Sequence, residues 1–361
     1  MLPQIPLRET LRRAKYINMK PTAISLLLLL TGVLCVRTQD QWKLVKQELI
    51  VSNPSFNQCH ASTIVELSSG DLLAAWFGGT GEGANDVCIW SAINRKGAWS
   101  KPKVIATGII NDSLCYPCWN PVLFMTRDKK LFLFYKVGPS PQQWWGMMMT
   151  SADEGKTWSS PIRLPEGILG PIKNKPIQLA DGTILAPSSV ETRNKWTVHL
   201  EKSTNNGKIW QKIIIDTTRF DVIQPTILNY GHGRLQILCR SKQGTIVQSW
   251  SEDNGNTWGK LSKTMLLNPN SGIDAVTLKS GEQLLVYNPD GPRKDGPNDR
   301  ARLRVAVSTD GINWMDIMTL ENGVKEEFSY PAVIQSMDNK VHIVYTYDRK
   351  NIKQVVLERR K

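Results

Sequence analysis

Six times along the chain, an apolar stretch runs into a short turn bearing Asp or Gly and leaves it as a second apolar stretch. The copies occupy 62–77 (STIVELSSGDLLAAWF), 121–137 (PVLFMTRDKKLFLFYKV), 176–190 (PIQLADGTILAPSSV), 225–241 (PTILNYGHGRLQILCRS), 273–288 (IDAVTLKSGEQLLVYN) and 331–347 (PAVIQSMDNKVHIVYTY). Their turn residues Asp71, Asp128, Asp181, Gly231, Gly281 and Asp338 follow one another at steps of 57, 53, 50, 50 and 57 residues. β-Branched and aromatic residues around Gly/Asp turns make hairpins. A hairpin repeated at a near-constant step is the mark of a propeller blade array. The expected fold is therefore an all-β, six-bladed propeller spanning residues 41–361.

A second motif follows most hairpins. SADEGKTW (151–158) and SEDNGNTW (251–258) match Ser-x-Asp-x-Gly-x-x-Trp in full. STNNGKIW (203–210) substitutes Asn205, STDGINW (308–314) is one residue short, and SAINRKGAW (91–99) is degenerate. The Asp or Asn bonds nearby backbone N–H groups, Gly supplies a positive φ, and Trp fills the gap between neighbouring hairpins. This is an Asp-box, and its role is structural. The last hairpin is followed by IKQVVLE (352–358) instead of an Asp-box, while KLVKQELIV (43–51) precedes the first. The expectation is that the two chain ends share the last blade, hiding an otherwise open edge.

Residues 1–40 read differently. Arg8, Arg12, Arg13, Lys15 and Lys20 precede a 14-residue apolar run, Ala23 to Val36. It falls short of the ~20 residues of a spanning helix. It reads as a signal peptide, with Met19 as a second candidate start, or as a signal anchor through residues 23–36. The expected location is secreted or lumenal, with membrane anchoring as the alternative. The chain of 361 residues carries 45 Lys and Arg against 32 Asp and Glu, a net charge of +13. No block of five basic residues and no nucleic-acid motif occurs in the body, so the basic balance points to an anionic glycan, with nucleic acid excluded.

In a propeller the residues entering each innermost strand converge on one face with the exits of the second strands. The entry positions are His60, Asn120, Lys175, Gln224, Asp274 and Tyr330. The exits carry Glu82 and Asp86, Lys136, Glu191, Arg240, the 288–302 loop with Arg300 and Arg302, and Asp348-Arg349. Polar groups at so many equivalent positions are costly in a dry core and natural around a pocket. A wet channel is the competing arrangement. Lys173 and Asn174 fall at the same face, and Trp144 and Trp145 could stack on a sugar or pack a blade.

The Asp-boxes, the blade count and several entry residues resemble the sialidase (neuraminidase) superfamily over about residues 45–358. The segments HASTIVELSSGDLLAAWFGG, PCWNPVLF, KVGPSPQQWWG, GPIKNKPIQL, NPNSGIDAVTL and EFSYPAVIQ are most similar to sialidase-like proteins with BNR repeats. The resemblance implies an exo-glycoside hydrolase for terminal sialic acid or a related acidic sugar, with no cofactor or metal. It implies Tyr330 in FSYPAV as nucleophile, a role in which a phenol replaces the usual carboxylate. It implies Arg240 in LCRSKQG and Arg300 or Arg302 in NDRARLRVAV as clamps on the substrate carboxylate. Glu82 falls near the general acid, as Glu for Asp, and Asp86 is expected to be a more buried structural neighbour. His60, Lys175, Gln224, Asn120, Asp86 and Lys136 complete the expected binding set, with His60 and Lys175 adjusting specificity. Two positions depart from the pattern. His60 stands where the family has the arginine of Arg-Ile-Pro, and Gln224 stands where it has a Glu. Gln cannot accept a proton, so Asp274 and Glu191 become the candidate partners of Tyr330. A glycan-binding propeller without turnover, or a glycosidase for a uronic or neutral sugar, are the alternatives.

Cys115-x-x-Cys118 has no second pair at metal spacing, so no metal is expected. Asn111-Asp-Ser113 is a glycosylation acceptor, while Asn53-Pro54-Ser55 is blocked by proline.

Overall fold

The computed structural model describes residues 41–292 and 299–360. The leader, its apolar run and its cleavage or anchoring lie outside the described residues. Each expected hairpin is the inner half of a blade. Blade 1 is Gln58–Glu66, Leu72–Gly79 and Cys88–Arg95, with the short Ala98–Trp99 and Lys103–Ala106 both pairing the third strand. Blade 2 is Cys118–Met125, Leu131–Val137, Trp145–Ser151 and Ile162–Arg163. Blade 3 is Ile177–Gln178, Ile184–Glu191, Trp196–Ser203 and Gln211–Ile214. Blade 4 is Val222–Gly231, Arg234–Ser241, Thr245–Ser251 and Ser262–Leu267. Blade 5 is Asp274–Thr277, Gln283–Tyr287, Arg302–Ser308 and Met315–Asn322. Blade 6 is Phe328–Gln335, Val341–Tyr347 and Asn351–Arg359, and its outer strand is Trp42–Leu49 from the other end of the chain. That strand pairs antiparallel from Trp42↔Arg359 to Leu49↔Lys353, closing the ring as the repeat pattern required.

The apolar core is divided among the seams. Leu73, Leu131 and Leu133 pack between blades 1 and 2. Phe132, Phe134 and Ile184 pack between 2 and 3, and Leu185, Leu235 and Ile237 between 3 and 4. Leu238, Leu285 and Ala306 fill seam 4–5, Leu284, Val333 and Ile343 seam 5–6, and Ile64, Trp76 and Val344 seam 6–1. A blade is thus apolar on both faces, which is why its inner strands read as unbroken apolar runs instead of alternating. Burying apolar surface at every seam leaves the axis free for polar groups.

The Asp-boxes lie between third and fourth strands and bind as their residue types predict. Ser151 Oγ donates to Asp153 Oδ1 (2.8 Å), Thr157 N–H donates to the same oxygen (2.9 Å), and Gly155 N–H donates to Ser151 Oγ (2.9 Å). The copies at Ser203, Ser251 and Ser308 repeat the pattern. Each also reaches the preceding blade. A Cβ on Gly155 would meet Leu73, on Gly207 Phe132, and on Gly255 Leu185. The glycine therefore serves a positive φ and a close inter-blade approach together.

Candidate active site

The inner strands of four blades carry the same irregularity. In blades 1, 2, 4 and 6 two residues face one on the neighbouring strand, at Ala61-Ser62, Asn120-Pro121, Gln224-Pro225 and Tyr330-Pro331. The first residue of each pair has a positive φ of 55°, 40°, 53° and 53°. Proline fits the second place because a bulged residue makes no ladder N–H bond. A non-glycine residue at such a φ costs about 1–3 kcal/mol, a cost that functional sites commonly retain. Lys173 (68°) and Asn270 (58°) play the corresponding part four residues ahead of the short first strands of blades 3 and 5. The true entry positions of blades 1 and 3 are thus Ala61 and Lys173, one and two residues away from the His60 and Lys175 expected from sequence.

The bulges turn Tyr330 and Gln224 toward each other. Arg240 Nη1 donates to Tyr330 Oη at 2.6 Å, and Gln224 Nε2 donates to it at 3.3 Å. Arg240 also donates through Nε to Asn270 Oδ1 (2.7 Å) and lies between the rings of Trp196 and Tyr330, 5.5 and 5.7 Å from their centroids. Arg300 sits 5.7 Å from the Tyr330 centroid and donates to Glu327 Oε1 (3.1 Å). Glu327 Oε2 in turn accepts from Arg349 Nε (2.9 Å), and Arg349 Nη1 is paired with Glu82. Burial alone would raise the Glu327 carboxyl, but Arg349, Ser329 and Arg300 together hold it below the usual range. Two guanidinium groups, Arg240 of blade 4 and Arg300 of blade 5, therefore flank one phenol, and Arg349 of blade 6 is linked to Arg300 through Glu327. Arg349 comes from the turn after the second strand of blade 6, where Asp348 and Arg349 both have positive φ (51° and 52°). The sequence placed it at an exit but gave no reason to prefer it.

His60 is 2% exposed and lies tilted over Tyr330 with ring centroids 4.1 Å apart. Burial first, then the charges of Arg349, Arg300, Arg240 and Lys173, press its pKa well below 6.5. Both effects favour the neutral imidazole. Glu191 is half-buried. Burial raises its carboxyl, Arg240 and Lys242 pull it back, and Glu82 adds to the rise. The site thus gathers a phenol, the guanidinium groups of Arg240 and Arg300, and carboxylates in different environments.

Other expected residues lie elsewhere. Asp274 is 1% exposed and fully engaged. Oδ1 accepts from Thr226 Oγ1 and its neighbour Ala275 N–H (both 2.9 Å), and Oδ2 accepts from Val333 N–H (2.9 Å) and Lys175 Nζ (2.8 Å). It ties blades 3, 4, 5 and 6 together with both oxygens engaged, and Lys175 is its counter-ion. Lys173 Nζ donates to Asn174 Oδ1 (2.9 Å), Ile273 O (2.7 Å) and Pro331 O, using all three ammonium protons, although burial draws its pKa down to about 7. These buried groups tie the inner strands of blades 3, 5 and 6 together. Lys136 is entirely buried and donates to Pro171 O (2.8 Å); burial lowers its pKa to about 7, and it belongs to a blade seam. Arg302 pairs with Asp290, which leaves Arg300 as the arginine beside Tyr330. Asp86 is exposed rather than buried and caps Thr80 N–H (3.0 Å). Asn120 occupies its bulge and is buried. Trp144 packs on Trp119, and Trp145 on Tyr116 and Arg163, so both serve packing. Grooves of about 510 and 580 Å3 run along seam 6–1 at the outer strands, and one of about 530 Å3 along seam 5–6; none is lined by Tyr330. Among the described residues no group of His, Cys, Asp and Glu could hold a metal, and no helix is long and apolar enough to cross a membrane.

The fold has relatives. A crystal structure of a protein of unknown function from Dyadobacter fermentans superposes with a TM-score of 0.71 at 17% identity, over 89% of this chain and 100% of that one. A sialidase of Streptococcus pneumoniae gives 0.67 at 12% identity, over 88% and 70%. The intramolecular trans-sialidase of Ruminococcus gnavus, solved with oseltamivir carboxylate, gives 0.65 at 14%, over 87% and 96%. In sequence, a sialidase of Bacteroides fragilis is 23% identical over 185 residues, covering 46% of this chain. The chain spans only a third of that relative's length. The pattern of the BNR repeat-like domain matches residues 70–343. The chain belongs to the BNR repeat-like family and has the six-bladed propeller of sialidases.

Proposed function

We propose that the chain is an exo-acting glycoside hydrolase for a terminal acidic sugar, of sialidase type. The observation that carries this reading is the placement of Arg240 and Arg300 against Tyr330, with Arg349 joined to Arg300 through Glu327. Guanidinium groups beside one phenol suit a ligand carboxylate next to an anomeric carbon, since a guanidinium matches a carboxylate in shape and charge. In the proposed reaction, Tyr330 Oη bonds to the anomeric carbon as the glycosidic bond breaks. Glu82 gives its proton to the departing oxygen. Water then attacks the glycosyl-tyrosine and gives one proton to Glu82, and Tyr330 leaves the anomeric carbon taking back the proton held by Glu191. A neutral phenol approaches a carboxylate-bearing centre with less repulsion than a carboxylate nucleophile would meet. Glu191 is the proposed acceptor for the Tyr330 proton, because Gln224 has no basic oxygen and Asp274 is engaged. The sugar comes from a glycoprotein, glycolipid or free oligosaccharide in a secretory or extracellular compartment, reached through the leader at residues 1–40.

A second reading is a glycan-binding propeller without turnover. Its support is the phenol oxygen held by two donors, Arg240 and Gln224, with no base in the Gln224 position. Assays with fluorogenic sialosides and glucuronides separate the two. Turnover that Tyr330→Phe abolishes supports the hydrolase. Turnover that survives Tyr330→Phe removes the mechanism, and binding with no turnover on either substrate class establishes the second reading.

A further inference from the structure

His60 is the one ring in the pocket whose chemistry the hydrolase reading leaves unused. It lies just ahead of the blade 1 bulge, wedged edge-on to Phe77 (5.7 Å, 77°) and tilted over Tyr330 (4.1 Å, 49°). Its Nδ1 is fully buried and has no hydrogen-bond partner. A buried polar atom without a partner is rare and asks for a reason, such as a ligand. The surroundings narrow the choice. His60 lines the same narrow crevice as Glu82 and Arg349. Every charged group acting on it is a cation: Arg349, Arg300, Arg240 and Lys173. In such company the imidazole stays neutral, and a neutral imidazole offers one donor and one acceptor. A carboxylate only accepts, and the three arginines already supply its donors. A hydroxyl both donates and accepts, and it satisfies the ring in either tautomer.

Resting on the acidic-sugar reading above, we propose that His60 hydrogen-bonds a hydroxyl of the sugar whose carboxylate Arg240, Arg300 and Arg349 hold. His60 is thereby the residue that selects among acidic sugars. The guanidinium groups recognise what such sugars share, and the imidazole recognises where they differ.

The test titrates the full protein with N-acetylneuraminic acid, D-glucuronic acid, D-galacturonic acid and acetate, followed by ligand-observed NMR. Acetate carries the carboxylate alone. Wild type is expected to bind one of the sugars more tightly than acetate. His60→Ala is expected to lower that sugar's affinity about three- to tenfold, the effect of one neutral hydrogen bond, and to leave acetate unchanged. His60→Asn or His60→Gln, whose amide nitrogens stand near Nδ1 or Nε2, is expected to recover part of the loss. Melting temperature is followed in parallel, because removing a ring beneath Tyr330 opens a cavity. Unchanged sugar affinity in His60→Ala overturns the proposal. So does an equal loss for sugar and acetate without rescue, which marks a packing role. If wild type binds none of the three sugars, the acidic-sugar reading fails and takes the proposal with it. That outcome is distinct from one in which only the His60 variants are silent.

Discussion

Arg349 holds Glu327 through Nε and Glu82 through Nη1, while Glu327 also holds Arg300. A carboxylate ligand entering this cluster would compete with Glu327 and Glu82 for guanidinium protons, so the cluster is poised for exchange of one carboxylate by another. Arg349→Gln is expected to weaken acidic-sugar binding about ten- to hundredfold, the value of a charge-assisted hydrogen bond. Arg302→Gln is expected to leave it unchanged, because Arg302 is spent on Asp290. Titration of both variants with the best-bound sugar checks this; equal losses would show that only net positive charge matters. The contrast shows what a sequence conveys at this scale. Tyr330 and Gln224 were legible because each precedes proline at the same place in its repeat. Lys136 and Arg240 occupy matching ends of second strands in blades 2 and 4, yet one fills a seam and the other the pocket. The difference lies in neighbours, Pro171 O for Lys136 and Asn270 with Tyr330 for Arg240, which come from other blades. Arg349 stood at an exit with nothing to prefer it, since among the described residues no other second-strand exit is a turn of two consecutive positive-φ residues.

The blade joins to its neighbour through the Asp-box, and the glycine within it separates backbone conformation from packing. Gly255 has φ +79°, and a Cβ there would lie 2.8 Å from Leu185 Cδ1 in blade 3 and 3.1 Å from Leu235 Cδ1. Gly70, in the blade 1 hairpin turn, has φ +83° and nothing within 4 Å. Gly70→Ala is expected to cost about 1–2 kcal/mol from the left-handed conformation alone. Gly255→Ala adds overpacking of about 1–3 kcal/mol at seam 3–4. Urea unfolding of the two variants measures the difference, and equal losses would show that the Asp-box glycine serves the turn only. Most of this scale was readable in advance. Hairpin turns, Asp-boxes and the shared last blade all follow from local residue chemistry. The outer strands were not, because Ile162–Arg163 and Gln211–Ile214 are short and carry little apolar pattern to read.

The whole ring is tied at two radii. At the rim, Trp42–Leu49 zips the two chain ends into one sheet. At the axis, the Asp274 carboxylate binds Thr226 of blade 4, Val333 of blade 6 and Lys175 of blade 3 from its own place in blade 5. Four blades meet on two oxygens that are almost wholly shielded from water. Breaking a buried pair on one side strands the remaining groups, at about 3–5 kcal/mol, far more than the pair contributes over a well-packed apolar replacement. Asp274→Ala is therefore expected to lower stability by about that amount and to lower it cooperatively, since seams 3–4, 4–5 and 5–6 all adjoin the lost contacts. A general base in the same position would behave in the opposite way. Asp274→Asn would then abolish turnover while leaving unfolding almost untouched, because the amide preserves shape and loses only basicity. Asn in the axial tie instead presents an N–H group to the Val333 N–H or to Lys175, so donor faces donor and stability falls. Calorimetric melting of Asp274→Asn beside Tyr330→Phe decides the matter. A large drop for the first and a small one for the second is the signature of an axis that holds the propeller together. The reverse order would return Asp274 to the chemistry and leave the ring to be held by its seams and rim.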